Sequence, residues 1–326
     1  SLSDERGAVG LEFEPNGTAF IRQGDRSAWV EALQWYLVCA GFDDIGGLDR
    51  LKAWFGKRRR AFEAAGRRFG LRPPRGVVLL GVPCDEGSTF LRGPAGAPAA
   101  IRAQLNSGSA NLCTEAGFDL GAQAAFVDLG DLEPGRGEAA RREIENRVSE
   151  LLERGCRVLS LGGDHAVTAP LVAAHAQTIP DLEILHFDAH PDLYDEYDGD
   201  RHANACPFAR IMEAGQARRL VQLGIRTMNP HQRAQAERFG VEVVEMRDFD
   251  AARRLRFDGP VYLSFDIDVL DPAFAPGVSH LEPGGMSTRD ALRVIQTFEG
   301  RLVGADIVEV NPDRDPSGMT AMVGVK

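Results

Sequence analysis

Three short segments hold the side chains best suited to chemistry. The first, Leu159-Ser160-Leu161-Gly162-Gly163-Asp164-His165, is an apolar run ending in two glycines, an acid and a histidine. The second is Ile184-Leu185-His186-Phe187-Asp188-Ala189-His190-Pro191-Asp192. The third is Val261-Tyr262-Leu263-Ser264-Phe265-Asp266-Ile267-Asp268-Val269-Leu270-Asp271-Pro272. In an extended chain, residues two apart face the same side. Asp188, His190 and, if the backbone stays extended, Asp192 then converge on one locus, and Asp266 and Asp268 can meet them from another strand. Carboxylates and imidazoles crowded into a dry interior repel one another or stay unsatisfied, and a multivalent cation resolves the conflict. Four carboxylates with two imidazoles and no thiolate suit Mn(II), with Fe, Co or Ni next and zinc less favoured. Four aspartates also suggest two ions with some carboxylates shared. The candidate ligands are His165, Asp188, His190, Asp192, Asp266 and Asp268. A lone aspartate at a strand end is usually a cap, and a lone histidine usually a core residue. Three dense clusters, each behind an apolar run, do not fit that blander account. Asp164 and Asp271 read as supporting or turn residues, His186 as a core histidine, and His175 and His231 as surface residues on helices.

The elements that must position these clusters follow from periodicity. Short apolar runs at 76–82, 124–129, 157–161, 183–188, 219–225, 241–245, 261–267 and 302–308 read as strands. Between several of them lie amphipathic segments. In 137–154 the apolar positions Ala140, Ile144, Val148, Leu151 and Leu152 keep helical spacing, as do Leu292, Ile295 and Phe298 in 288–299. Ser287 followed by Asp290 caps the second of these. Alternating strands and helices predict an α/β fold with a mostly parallel sheet covered on both faces. Such sheets place their sites at the carboxyl ends of strands, where all three clusters fall. Residues 1–25 read as loosely ordered and 26–69 as helical, giving an N-terminal helical extension over 1–70 and a catalytic domain over 71–326. The basic run Lys57 to Arg60 reads as a solvated helix face.

Composition narrows the partners. The 326 residues carry a formal net charge of -11 and 44% apolar residues. An acidic surface disfavours nucleic acid and anionic membranes and is compatible with a cationic substrate. No run of about 18 apolar residues suggests a membrane span, and the N-terminus lacks a secretory pattern. The five cysteines (40, 84, 113, 156, 206) are scattered, without a C-x-x-C, and read as reduced thiols of a cytoplasmic protein. A first residue other than Met fits processing or a cloning scar, and a further C-terminal tail is expected beyond Lys326. No strand leads into a Gly-x-Gly-x-x-Gly turn, so a dinucleotide site has no support.

Taken together, Gly162-Gly163-Asp164-His165, Asp188-Ala189-His190-x-Asp192 and Ser264-Phe265-Asp266-x-Asp268 with Asp271-Pro272 and Pro276-Gly277 resemble the ureohydrolase family of arginases and agmatinases. The resemblance covers about residues 76 to 326. The segments from Pro276 to Gly285, Asn311 to Asp315, Gly318 to Val323, Phe208 to Glu213 and Thr114 to Gly117 look most like plant-type arginases. The resemblance implies a three-layer α/β/α fold, a mainly parallel sheet and two Mn(II) ions per subunit. His165 and Asp192 would hold one ion, His190 and Asp268 the other, and Asp188 and Asp266 would bridge. It implies hydrolysis of a small cationic guanidino compound (arginine, agmatine or a guanidino acid) to urea and an amine, by attack of a metal-bridging hydroxide that Asp192 orients. His202 resembles the family's proton shuttle and Glu309 its guanidinium-binding acid; Asn204 and His280 are expected as further substrate contacts. A homo-oligomer, trimer or hexamer, is expected by analogy.

The pattern departs from the family in two places. Tyr194 stands where animal arginases place an Asn for the amino acid carboxylate, and Thr227, Met228 and Asn229 follow Gly224-Ile225-Arg226 where they place acids. His202 lies ten residues after Asp192, but alignment back from Phe208 puts Asn204 at the histidine position. A single-zinc deacylase and a catalytically silent relative acting as a subunit or binder are the competing readings.

Overall fold

The computed structural model describes residues 9–13, 19–23, 76–122, 126–251 and 254–326. By its internal contacts the chain divides into two compact units. One comprises Ser1–Val78, Cys113–Asp128 and Arg154–Arg157; the other comprises Leu79–Leu112, Leu129–Glu153 and Val158–Lys326. In the first, β1 (Val9–Phe13) and β2 (Ala19–Gln23) pair antiparallel, Leu11 opposite Ile21. The N-terminal stretch read as loosely ordered therefore contains an antiparallel strand pair, and the described part of the expected helical extension is strand. The helical pattern at 26–69 lies outside the described residues.

Eight further strands form one sheet among the described residues. They are β3 (Val77–Gly81), β4 (Phe126–Asp131), β5 (Arg157–Leu161), β6 (Glu183–Phe187), β7 (Arg219–Ile225), β8 (Glu242–Glu245), β9 (Arg256–Asp266) and β10 (Glu299–Val308). Their order is β4-β3-β5-β10-β9-β6-β7-β8. From β5 to β8 every pair is parallel. All five residues of β6 and the last seven of β9 are buried. Burial of consecutive residues, which point to alternate faces, requires cover on both faces, as the unbroken apolar runs predicted. The eight apolar runs correspond to these eight strands, and the sheet is the mainly parallel one of the expected α/β fold.

Among the described residues the α-helices are α1 (Ala97–Leu105), α2 (Gly137–Glu153), α3 (Thr168–Thr178), α4 (Pro207–Glu213), α5 (Pro230–Phe239), α6 (Thr288–Thr297) and α7 (Met319–Val325). In α2 the buried positions are Ala140, Ile144, Val148 and Leu151, most of the stripe the periodicity picks out, with Leu152 half-buried, and the helix packs on α3. Ser287 and Asp290 close a reciprocal capping box at the start of α6. Phe298 lies just past that helix as its C-cap rather than within it.

His175 corrects an expectation. It is 1% exposed, not on the surface. Helix α3 is apolar almost all round, so it has no solvated face to offer. The ring sits over Gly304, where any Cβ would overlap it. His231, by contrast, is exposed on α5 as expected.

Candidate metal centre

The expected ligands leave the sheet at the carboxyl ends of neighbouring central strands, where unpaired backbone groups must find new partners. Beyond β5 the chain passes Gly162 and Gly163. A Cβ on Gly163 would overlap the Cys84 carbonyl, which accepts the Asp164 N–H at 2.9 Å. Close approach of two backbones is what the double glycine permits. Asp164 then caps a short turn, its carboxylate accepting from Ala166 N–H at 3.1 Å and from the Ser88 hydroxyl at 3.1 Å. His165 opens that turn, fully buried. Beyond β10, the Glu309 N–H donates to the Gly163 carbonyl at 2.9 Å, tying the ends of β5 and β10 together.

Past β6 the His190 N–H donates to Asp188 Oδ1 at 2.6 Å. Asp192 arrives with φ +50°, and Glu309 with φ +65°. A left-handed backbone is costly for residues with a Cβ and recurs at functional sites. Asp192 therefore reaches the cluster through a turn, not through the extended backbone that the i, i+2 argument assumed. Asp268 does likewise: β9 ends at Asp266, residues 267–269 form a single 3-10 turn, and the Asp266 carboxylate caps it by accepting the Asp268 N–H at 2.9 Å. Asp271 is a turn residue, accepting from Ala273 and Gly284 N–H.

Two clusters of donor atoms result. His165 Nδ1 lies 3.1 Å from Asp188 Oδ2, 3.0 Å from Asp192 Oδ2 and 3.1 Å from Asp266 Oδ2. It is buried without a hydrogen-bond partner. His190 Nδ1 lies 3.3 Å from Asp188 Oδ1 and 3.1 Å from Asp268 Oδ2. Asp188 faces both clusters, one oxygen to each. Asp188, His190 and Asp268 form a group whose ligand atoms are all within 4.8 Å of one another, as do His165, His186 and Asp188. All six expected ligands are thus brought together. An orphaned imidazole nitrogen among three carboxylate oxygens is the arrangement a cation satisfies, so the residues fit a metal ion.

Electrostatics agree. Burial disfavours charge on His165, Asp188, His190, Asp192 and Asp266. Burial and the Asp188 charge push Asp192 up to about 7. Burial, Asp268 and Asp188 raise Asp266 well above the carboxylate range. Asp188 goes the other way despite burial, held well below its ordinary value by His165, His186 and His190. Burial opposes protonation of His165, yet its facing carboxylates lift it well above the imidazole range. Without a multivalent cation the cluster must take up protons to remain buried.

The far nitrogen of His165 is also held. Nε2 is 3.0 Å from the Ser264 hydroxyl, which donates to Asp306 Oδ1 at 2.7 Å. Asp306 Oδ2 accepts from Thr168 at 3.0 Å and from Tyr262 at 2.8 Å. With its proton committed to Asp306, Ser264 accepts from Nε2–H, and Nδ1 is left bare for a metal. Sequence reasoning missed Asp306 here. An acid inside the apolar run 302–308 was the available signal.

A cavity of about 170 Å³ opens on the clusters. It is lined by His190, Asp192, Asp266 and Asp268, by Glu309, Asn204 and His280, and by Tyr194, Tyr197, Thr227 and Gln232 among others. Among the described residues no Lys or Arg lines it. Glu309 Oε1 accepts from the His165 N–H at 2.9 Å and from Asn204 Nδ2 at 2.8 Å. The Tyr194 hydroxyl accepts from Asn229 Nδ2 at 2.6 Å, and its ring stacks on His231. His202 does not reach the cavity. It is exposed, and its N–H donates to Asp200 Oδ1 at 2.8 Å, a turn that faces the side chain outward. The inward position of that loop is Asn204, whose N–H donates to the Gly87 carbonyl at 2.8 Å. The expected proton shuttle His202 is thus exposed and is not among the residues that line the cavity.

Comparison with known proteins identifies the family. The pattern of the arginase family matches residues 75–326. Arginase 1, mitochondrial, of Arabidopsis thaliana is 46% identical over 265 residues, 76% of this chain and 78% of that protein. A guanidinopropionase of Pseudomonas aeruginosa is 39% identical over 267 residues, 76% of this chain and 83% of that one. The solved arginase from Medicago truncatula superposes with a TM-score of 0.75 at 36% identity, covering 91% of this chain and 93% of that one. The chain belongs to the arginase family and is a ureohydrolase, similar to the arginases of plants.

Proposed function

We propose that this chain hydrolyses a small cationic guanidino compound to urea and an amine at a centre of two Mn(II) ions. The observation that carries the reading is the pair of donor clusters sharing Asp188 beneath a cavity whose charged lining is acidic apart from its imidazoles. His165 and Asp192 would hold one ion and His190 and Asp268 the other, with Asp188 and Asp266 between them. When bound, such ions bring the pKa of water toward 7 and supply positive charge where oxyanion character develops.

The remaining work falls to side chains. Glu309 takes both of its protein hydrogen bonds on Oε1, which leaves Oε2 for the N–H groups of a planar guanidinium. Its backbone tie to Gly163 keeps it beside His165. Asp192 belongs to a donor cluster and also lines the cavity, so it can orient the attacking water by accepting its proton in a hydrogen bond. The leaving amine needs a proton. His280 is the imidazole lining the cavity outside the proposed ligand set, and it suits that transfer. Tyr194 and Thr227 stand at the wall where a longer substrate's tail would lie. The family likeness also supports a homo-oligomer, trimer or hexamer, which sedimentation would read.

The test is urea release by Mn(II)-loaded protein from a panel of arginine, agmatine and guanidino acids. Urea from at least one is expected. Failure with all of them overturns the reading.

A further inference from the structure

A row of polar side chains crosses the sheet beneath the ligands. The register sets Ser160 beside Asp306, Asp306 beside Ser264, Ser264 beside His186 and His186 beside Gln222, on five adjacent parallel strands. Residues in register on neighbouring strands point to one face. All five are at most 1% exposed. A polar row in a dry core is expensive unless each member has a task. The Asp306–Ser264 half holds His165. The other half has no part in the function proposed above.

The geometry of that half is decided by one carbonyl. Gln222 Nε2 lies 2.6 Å from the Pro191 carbonyl and 3.1 Å from His186 Nδ1. A carbonyl oxygen only accepts, so the amide atom facing it must be the NH₂ group. That same NH₂ faces Nδ1, which must then be the bare, accepting nitrogen. The imidazole proton is left on Nε2, which points at Asp188 Oδ2 from 2.9 Å. His186 is therefore a donor to the carboxylate, and its lone pair is not offered to a metal, although its Nε2 lies within reach of the His165 cluster. Phe208 stacks on the ring at 3.9 Å and keeps it in plane. The other Asp188 oxygen is fixed by the His190 N–H. Both oxygens are thus oriented, each toward its own cluster.

We propose that Gln222 and His186 form a positioning relay that pins the shared carboxylate Asp188 and so supports both metal ions at once, a role that rests on the two-ion reading above. Ser264 and Asp306 serve one ion through His165, whereas Gln222 and His186 serve the pair. Neither residue of the relay touches the cavity; each acts through Asp188.

The test titrates Mn(II) into the metal-free full chain and reads the affinity and number of ions by calorimetry. His186→Phe keeps a ring against Phe208 and removes the donor. It is expected to weaken both ions by about 10- to 100-fold, the usual cost of losing a partner that orients a ligand. Ser264→Ala is expected to weaken one ion only. His186→Gln restores an N–H toward Asp188 and should recover most of the lost affinity, which a merely space-filling role would not allow. Wild-type affinity for both ions in folded His186→Phe overturns the proposal, as does a loss that His186→Gln leaves in full. If His186→Phe fails to fold, Gln222→Met replaces it: weakening of both ions supports the relay and unchanged binding overturns it. A wild type that binds two ions but releases no urea sinks the substrate reading and leaves the relay standing. A wild type that binds no Mn(II) sinks both.

Discussion

The Asn204 side chain donates a 2.8 Å hydrogen bond to Glu309 across 105 residues of sequence. The same amide accepts the Thr89 N–H through Oδ1 at 3.2 Å, so neither end is free to turn. Burial raises the pKa of Glu309, and the Asn204 and His165 hydrogen bonds work against that rise by stabilising its charged form. Removing the amide leaves a buried carboxylate short of a donor, at about 1.5–3 kcal/mol for a bond to a charged group. Asn204→Ala is expected to lower kcat/KM by about 10- to 100-fold, and Asn204→Asp, which sets one carboxylate against another, by more. Steady-state urea assays check both, and an Asn204→Asp variant at full activity would sink the role given to this pair.

Much of this was legible in the sequence because it rests on local rules. The apolar runs marked the strands of a doubly covered sheet, and the ligand clusters behind them marked its carboxyl edge. What the sequence hid is what depends on turns and register. Nothing in Asp188-Ala189-His190-Pro191-Asp192 says that Asp192 takes a left-handed backbone. Which side of the 192–208 loop faces inward is set by the Asn204 bond to Gly87, a long-range contact without a local signal. The burial of His175 is hidden too, because helical spacing alone does not say whether a helix has a wet face. The polar row from Ser160 to Gln222 is invisible until strand order and register are known.

The loop geometry separates two histidines. His280 lines the cavity, its ring 5.5 Å from that of His190, while His202 is exposed and bound to its own turn. His280→Gln is expected to lower kcat by about 10²-fold or more, the usual scale of a lost general acid, with KM changing less. His202→Ala is expected to leave both constants within about twofold. The reverse pattern in a kinetic comparison of the two variants would restore the shuttle to His202.

Acid stability should carry the signature of a buried neutral histidine. Burial holds His175 at about 4, and its hydrogen bond to the Leu171 carbonyl offsets only part of that. An unfolded histidine titrates near pH 6.5. As pH falls below 6.5 the unfolded chain gains a proton that the folded chain refuses, so stability is lost until about pH 4. The slope reaches about 1.4 kcal/mol per pH unit, roughly 3 kcal/mol across the window. His175→Gln lacks this group, and its denaturation free energy should fall less steeply from pH 6.5 to 4. Parallel urea denaturation series of the two proteins, compared at each pH, decide the matter: equal slopes would mean that His175 is not the group responsible.

Gly163 makes the last test, because it links the backbone to the chemistry. A methyl group there would run into the Cys84 carbonyl, and neither side can yield cheaply. Cys84 O holds the Asp164 N–H, and Gly163 O holds the Glu309 N–H, both at 2.9 Å. Any shift that relieves the overlap must therefore move His165 on one side or Glu309 on the other. Gly163→Ala is expected to destabilise the fold by about 1–3 kcal/mol, the scale of an overpacked core. It should also cost more activity than stability alone explains, since the residual folded protein holds a displaced ligand. Gly108→Ala is the control, because a Cβ there meets nothing within 4 Å, and its stability should stay within about 0.5 kcal/mol of the parent. Thermal melts read the first expectation, and urea release at a temperature where both variants remain folded reads the second. A Gly163→Ala protein that melts and turns over like Gly108→Ala would show that the contact with Cys84 does not hold the end of β5 in place.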